Sequence, residues 1–308
     1  MLPVNVASHH VTFGTRFTLY FLRTLRVPDD DKSYPLPPGL GEFLIFTTEQ
    51  IKGIKPGNWS ANDLFLCLYQ REALWLGFDA AQWKPNAVKV GAGEINVLTG
   101  DTWNNTLHSD PQDYLVCPPQ PWLDGFKTGD GIVRQFVAAP LGSKVTVESQ
   151  LTGGDVGGLR VTVFEPRSGH FPDSRPPPKP PTTSLQEQIG RESLGLAAGG
   201  EIRQKIYADP YGLETWDDEN YNSVLIHILN STEYAQFTGS EPPPTPISAE
   251  TYTQCGFPWY DTYDEDRPGL PATTRLGAVK SFNQQTGGSD ETLDVPDWQI
   301  KPAKKMLE

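Results

Sequence analysis

Apolar residues in this chain arrive in short bursts, and glycine or proline breaks nearly every interval between them. That rhythm constrains the fold more than any single motif. A long helix needs an unbroken amphipathic run, and the 29 glycines and 29 prolines deny it almost everywhere. Short strands joined by turns remain. The period is visible near the N-terminus. Between Val11 and Val27, Phe13, Phe17, Leu19 and Phe21 fall on odd positions, and Thr12, Arg16 and Thr18 on even ones. Such alternation turns one face of a strand to a core and the other to water.

Further strands are expected at Phe43–Phe46, Leu64–Tyr69, Leu74–Phe78, Ala87–Val90, Glu94–Leu98, Tyr114–Cys117, Ile132–Ala138, Lys144–Glu148 and Leu159–Phe164. One helix through Leu64–Phe78 is the alternative there, but continuous apolar character favours two buried strands and a turn. Gly91-Ala-Gly93 reads as a hairpin turn in which glycine supplies positive φ. The series predicts a mainly β fold, with a β-sandwich or jelly-roll-like body over residues 1–166.

Residues 167–184 are different. Pro172, Pro176, Pro177, Pro178, Pro180 and Pro181 leave almost no aliphatic side chain. This is a proline-rich linker or surface strap, with a docking peptide as the sharper reading. A smaller α+β part is expected over 185–280. It holds a helix at Leu185–Leu196 ending at Gly199-Gly200, and strands at Glu201–Tyr207 and Ser223–Leu229. Two short helices follow, Thr232–Thr238 capped by Ser231 and Ala249–Cys255 capped by Ser248. Residues 281–308 read as an extended arm. Its polar start through Ser289 acts as a tether, and Leu293, Val295, Trp298 and Ile300 are the candidate interface residues that dock it. The dock is its own body or, by strand addition, a neighbour's sheet edge, with the neighbour preferred.

The net charge of −13 excludes nucleic acid as a partner, because phosphate binding needs a basic surface. It also disfavours anionic membranes, and no apolar run reaches the roughly eighteen residues of a spanning helix. The N-terminus lacks the basic start and apolar stretch of a signal peptide. Cys67, Cys117 and Cys255 are sparse and odd in number, which suggests free thiols in a reducing compartment. The cytoplasm is the expected location. Sequons at Asn58, Asn104 and Asn230 carry little weight without a secretory route.

Signatures of nucleophile elbows, phosphate loops and zinc sites are missing. Gly129-Asp-Gly131 lacks the third glycine of a dinucleotide loop and leads into a strand, so it reads as a turn. His9 and His10 are adjacent, and on a strand would face opposite ways. His227 lies in an apolar run and reads as a satisfied interior histidine. The acidic run Asp261, Asp264, Glu265 and Asp266 is the candidate metal site, with calcium as the cation. Its spacing is not that of an EF-hand, and a solvated loop neutralised in part by Arg267 is the alternative. Asp101, Asp113, Asp124 and Asp130, scattered among Trp103, Tyr114 and Trp122, could serve sugar chemistry, or the aromatics could be core and loop anchors.

Several phrases resemble those of a family of microbial proteins with no known activity. They are Tyr69-Gln-Arg-Glu-Ala-Leu-Trp75, Glu94-Ile-Asn-Val-Leu-Thr-Gly100, Gln120-Pro-Trp-Leu-Asp-Gly125 and Ile132-Val-Arg-Gln-Phe-Val137, with Leu196 to Gly200 running on to Tyr211-Gly212. The resemblance covers most of residues 11–280 and implies a natural protein, with no site or cofactor. Two functions follow from the residues. The first is a non-enzymatic structural or interaction protein that self-associates into a homo-oligomer. The second, resting on eight Trp, eleven Tyr and the acidic loops, is a carbohydrate-binding module or carbohydrate-active enzyme.

Overall fold

The computed structural model describes residues 1–30, 32–52, 59–172, 194–242 and 269–287. The first strands are β1 (Val4–Val6), β2 (His10–Phe13), β3 (Phe17–Thr24), β4 (Ser33–Tyr34), β5 (Gly39–Glu42) and β6 (Phe46–Thr47). Next come β7 (Leu64–Cys67), β8 (Ala73–Ala80), β9 (Asn86–Ala92), β10 (Ile95–Asn96), β11 (Leu115–Cys117), β12 (Trp122–Leu123), β13 (Gly125–Gly129) and β14 (Ile132–Pro140). The last are β15 (Leu159–Pro166), β16 (Leu194–Arg203) and β17 (Trp216–Leu229). Among the described residues four short helices join them: α1 (Val147–Thr152), α2 (Ser231–Thr238), α3 (Thr274–Gly277) and α4 (Phe282–Thr286).

The fold is mainly β and is built of two sheets. The first runs β1-β2-β3-β8, where β12 and β14 share the far edge of β8, and continues through β16 to β4. The second runs β6-β7-β17-β15-β9, with β10 and β11 beyond β9. One pairing, Leu194 with Ile228, joins the two. The main strands β3, β7, β8, β9, β14, β15, β16 and β17 change sheet at every step. Alternation explains the core. Phe17, Leu19, Phe21, Leu74 and Leu76 from the first sheet meet Leu64, Leu66, Val88, Val90, Val161 and Ile226 from the second in one buried cluster.

Several expectations change. The long N-terminal strand is a hairpin, β2–β3, turning at Gly14 with φ +60°. Lys144–Glu148 is not a strand: Thr146 accepts a hydrogen bond from Ser149 N and starts α1. Gly199-Gly200 ends no helix but lies inside β16. A Cβ on Gly199 would sit 2.5 Å from Val137 Cγ2, so glycine here permits close strand approach. The division of the chain at the proline run also changes. β16 pairs with β14 from Ile132 to Pro140, and β17 pairs with β15 from Leu159 to Pro166, so residues 194–229 belong to the body and not to a separate part. Residues 173–184 of the expected linker, and most of the helix expected at Leu185–Leu196, lie outside the described residues. The cap of α2 is Asn230, one residue before the expected Ser231, and Gly239 closes it with φ +67°. Cys67 and Cys117 are both buried, and Cys117 is a free thiol.

Residues 269–287 form a strap over this body. Leu270 N donates to Ile206 O at 2.7 Å, Lys127 Nζ donates to Pro271 O, and Thr273 Oγ1 donates to Thr99 O at 3.0 Å. Leu276 and Phe282 are buried anchors. The start of the expected arm is therefore a helix, α4. Ser281 and Gln284 cap it reciprocally, and Asn283 N donates to Asp29 Oδ2 at 2.8 Å.

Candidate functional site

The alternation that buries Leu19 and Phe21 turns Tyr20 and Leu22 outward, and the same rule turns out Trp75 between Leu74 and Leu76. Register then lines these side chains up. His10 lies opposite Tyr20, Tyr20 opposite Gly77, and Gly77 opposite Trp122. Leu22 lies opposite Trp75 in the next row. Four strands at sheet spacing make a row about 14 Å long. His10 and Tyr20 rings are 5.5 Å apart, and Trp75 meets Trp122 edge to face at 6.3 Å and 89°. Gly77 keeps the centre low: a Cβ there would lie 2.6 Å from Leu22 Cδ1. His10, Tyr20, Leu22, Trp75 and Trp122 are all half-buried.

At the Trp122 end the row meets a small recess of about 10 Å³, room for one water molecule, whose wall includes Leu36, Gln120, Trp122, Arg203, Lys205 and Tyr207. Two buried amides brace it. Gln120 Nε2 donates to Trp122 O at 3.1 Å and Lys205 O at 3.3 Å, and its Oε1 accepts from Tyr207 N at 3.1 Å. Gln204 Oε1 accepts from Asp124 N at 3.0 Å, and Nε2 donates to Trp122 O at 3.3 Å.

Asp124 follows β12 and is almost fully buried. Burial pushes its carboxyl up to about 8, opposed in part by the Trp122 indole. That indole gives only weak help: no hydrogen bond of normal geometry forms, and Trp122 Nε1, Asp124 Oδ2 and Trp75 Nε1 are buried without a partner.

The opposite outward face, on the second sheet, is closed. Trp103 lies over Gly91, where a Cβ would sit 2.6 Å from Trp103 Cε3. Lys89 and Arg160 approach that ring at 5.5 and 5.6 Å. Buried Lys89 Nζ donates to Asn104 Oδ1 at 3.0 Å and Asp113 Oδ2 at 2.6 Å. His108 Nδ1 lies 2.8 Å from the same Asp113 oxygen. His227 also proves to be held: it stacks on Trp59 at 4.0 Å, and its Nε2 lies 2.8 Å from Asp63 Oδ2. Burial lowers its pKa and the Asp63 hydrogen bond opposes that.

The four aspartates weighed for sugar chemistry take four roles. Asp101 pairs with Arg275 at 2.7 Å, Asp113 anchors Lys89, Asp124 is the buried acid, and Asp130 is exposed at the β13–β14 turn, where Gly131 has φ +65°. Asp261, Asp264, Glu265 and Asp266 lie outside the described residues, as do Leu293, Val295, Trp298 and Ile300. Among the described residues, no group of three or more His, Cys, Asp or Glu could hold a metal ion. The outward row was missed in the sequence. Its signal was available in Tyr20, Leu22 and Trp75, each one step out of phase with buried neighbours, but the register joining them was not. No protein-family model, curated protein or solved structure matches the chain.

Proposed function

We propose that the protein is a non-catalytic saccharide-binding protein whose ligand lies across the outward face of the first sheet. The aromatic row from Tyr20 to Trp122 carries this reading. Sugar rings offer apolar C–H faces that pack on aromatic rings, and aromatic side chains with polar tips suit surfaces that are partly wet. Trp75 Nε1, Trp122 Nε1 and Asp124 Oδ2 lack partners but are buried, so the reading stands on the aromatic row and not on them. Two-carboxylate hydrolysis has less support, because Asp101 and Asp113 are committed to Arg275 and Lys89.

The competing reading, a self-associating interaction protein, calls for exposed apolar surface. Among the described residues the exposed large hydrophobics are Met1, Val156 and Tyr211, on separate elements. Affinity electrophoresis through gels cast with soluble polysaccharides tests the saccharide reading. Retardation in at least one gel, abolished by Trp122→Ala and weakened by Trp75→Ala, is the expected result. Unaltered migration in xylan, mannan, glucan and pectin gels would overturn it.

A further inference from the structure

We infer that Lys89 and Asn104 join in an isopeptide bond, an amide between two side chains, which ties β9 to the loop that carries Trp103. The bond lies on the second outward face and is independent of the saccharide reading. Register sets it up. Val88 and Val90 point into the core, so Lys89 between them points the other way. It is covered there: its side chain is only 1% exposed, and the Trp103 ring stands 5.5 Å from Nζ.

Lys89 Nζ donates to Asn104 Oδ1 at 3.0 Å, to Thr106 O at 2.5 Å and to Asp113 Oδ2 at 2.6 Å. A buried ammonium needs such partners, but this set is also a reaction site. An amine becomes a nucleophile once a neighbouring base takes its proton, and the carboxamide of Asn104 is an acyl group. Asp113 is in contact with that proton, and its Oδ1 accepts from His108 N at 2.9 Å, which fixes the carboxylate. Thr106 N donates to Asn104 Oδ1 at 3.0 Å, the oxygen on which negative charge develops when the amide carbon is attacked. Nucleophile, acyl group, proton carrier and oxyanion donor are thus linked by direct hydrogen bonds.

The step balances without oxidant, reductant or co-reactant. Asp113 takes a proton from the Lys89 ammonium. The amine attacks Asn104 Cγ, the Nζ–Cγ bond forms, and Oδ1 takes the electron pair. Asp113 passes its proton to Nδ2 and accepts a second one from Nζ. The pair on Oδ1 returns, the Cγ–Nδ2 bond breaks, and ammonia leaves, taking the second proton from Asp113 as ammonium. Asn104 is exposed, so the leaving group has a path to solvent.

Intact-mass spectrometry of the denatured full chain tests this. The expected mass is that of the sequence less one ammonia, and digestion should release one branched peptide joining Lys89 to Asn104. Asn104→Ala should show the full mass of its own sequence while keeping the circular dichroism of the parent. Asp113→Asn should remain mostly unlinked, and complete cross-linking in it would overturn the role given to Asp113. A folded parent at full sequence mass overturns the inference. So does a loss of ammonia that maps to a linear peptide, as a succinimide would, or a loss of water that joins Lys89 to Asp113.

Discussion

The two outward faces of the sandwich are built on one plan and finished differently. Each has a glycine at its centre, Gly77 or Gly91, and each sets tryptophan beside it. On the second sheet the tryptophan is a lid. Trp103 packs against Gly91, and Lys89, 5.5 Å from its ring, is bonded to Asn104 and Asp113. On the first sheet Trp75 and Trp122 stand edge to face, and their indole nitrogens and the Asp124 Oδ2 lack partners. Buried polar groups are normally satisfied, because leaving one bare costs about 1–3 kcal/mol. On the second face Arg160 Nε beside Trp103 is also bare, so the two faces differ in degree, one such group there against three here.

The sharpest way to break the comparison is through Asp124. Its folded pKa of about 8 stands well above that of an unfolded aspartate, about 4. Across that window the folded state keeps a proton that the unfolded state has lost. Stability from this group is therefore fully present below about pH 4 and is lost as pH rises toward 8, at about 1.4 kcal/mol per pH unit. Asp124→Asn removes the dependence. Urea denaturation of both proteins should give curves that diverge steadily with pH, the variant becoming the more stable. Parallel curves would mean that the first face is as well satisfied as the second.

The second face yields the next largest effect. Asp113→Ala strands the Lys89 ammonium in a buried site, with side-chain exposure of only 1%, and should cost roughly 3 kcal/mol. A loss below about 1 kcal/mol, measured at the same pH, would show that the lid's ion pair is not what closes it. The strap provides the smallest effect. Arg275 and Asp101 are about half exposed, so Arg275→Ala should change stability by no more than about 0.5 kcal/mol. A larger loss would mean that the pair fixes the strap, which here is attributed to Leu276 and Phe282.

Much of the body was legible because its signals are local. The odd-numbered phenylalanines of β3, the glycines of the β9–β10 hairpin and the Asp130-Gly131 turn each state their geometry within a few residues. Two features were not legible for the same reason. Proline-rich residues 167–184 look like a domain boundary, yet β16 and β17 return to strands fifty or more residues earlier in the chain. The aromatic row depends on four strands meeting in one register, and register is a property of pairing, not of any strand alone. Asp124 was noticed as one aspartate among four. Nothing in its neighbours foretold that β12 would bury it behind Trp122 and Gln204.

The central claim is that the first outward face, and not the second, binds saccharide. Indole N–H resonances of the ¹⁵N-labelled protein report it directly, with Trp75→Phe and Trp122→Phe variants used to identify the two peaks. On titration with oligosaccharides of xylan, mannan, glucan and pectin, the Trp75 and Trp122 resonances should move with a common affinity while those of Trp103 and Trp216 stay fixed. Stationary Trp75 and Trp122 peaks with every oligosaccharide, or movement confined to Trp103, would contradict the account.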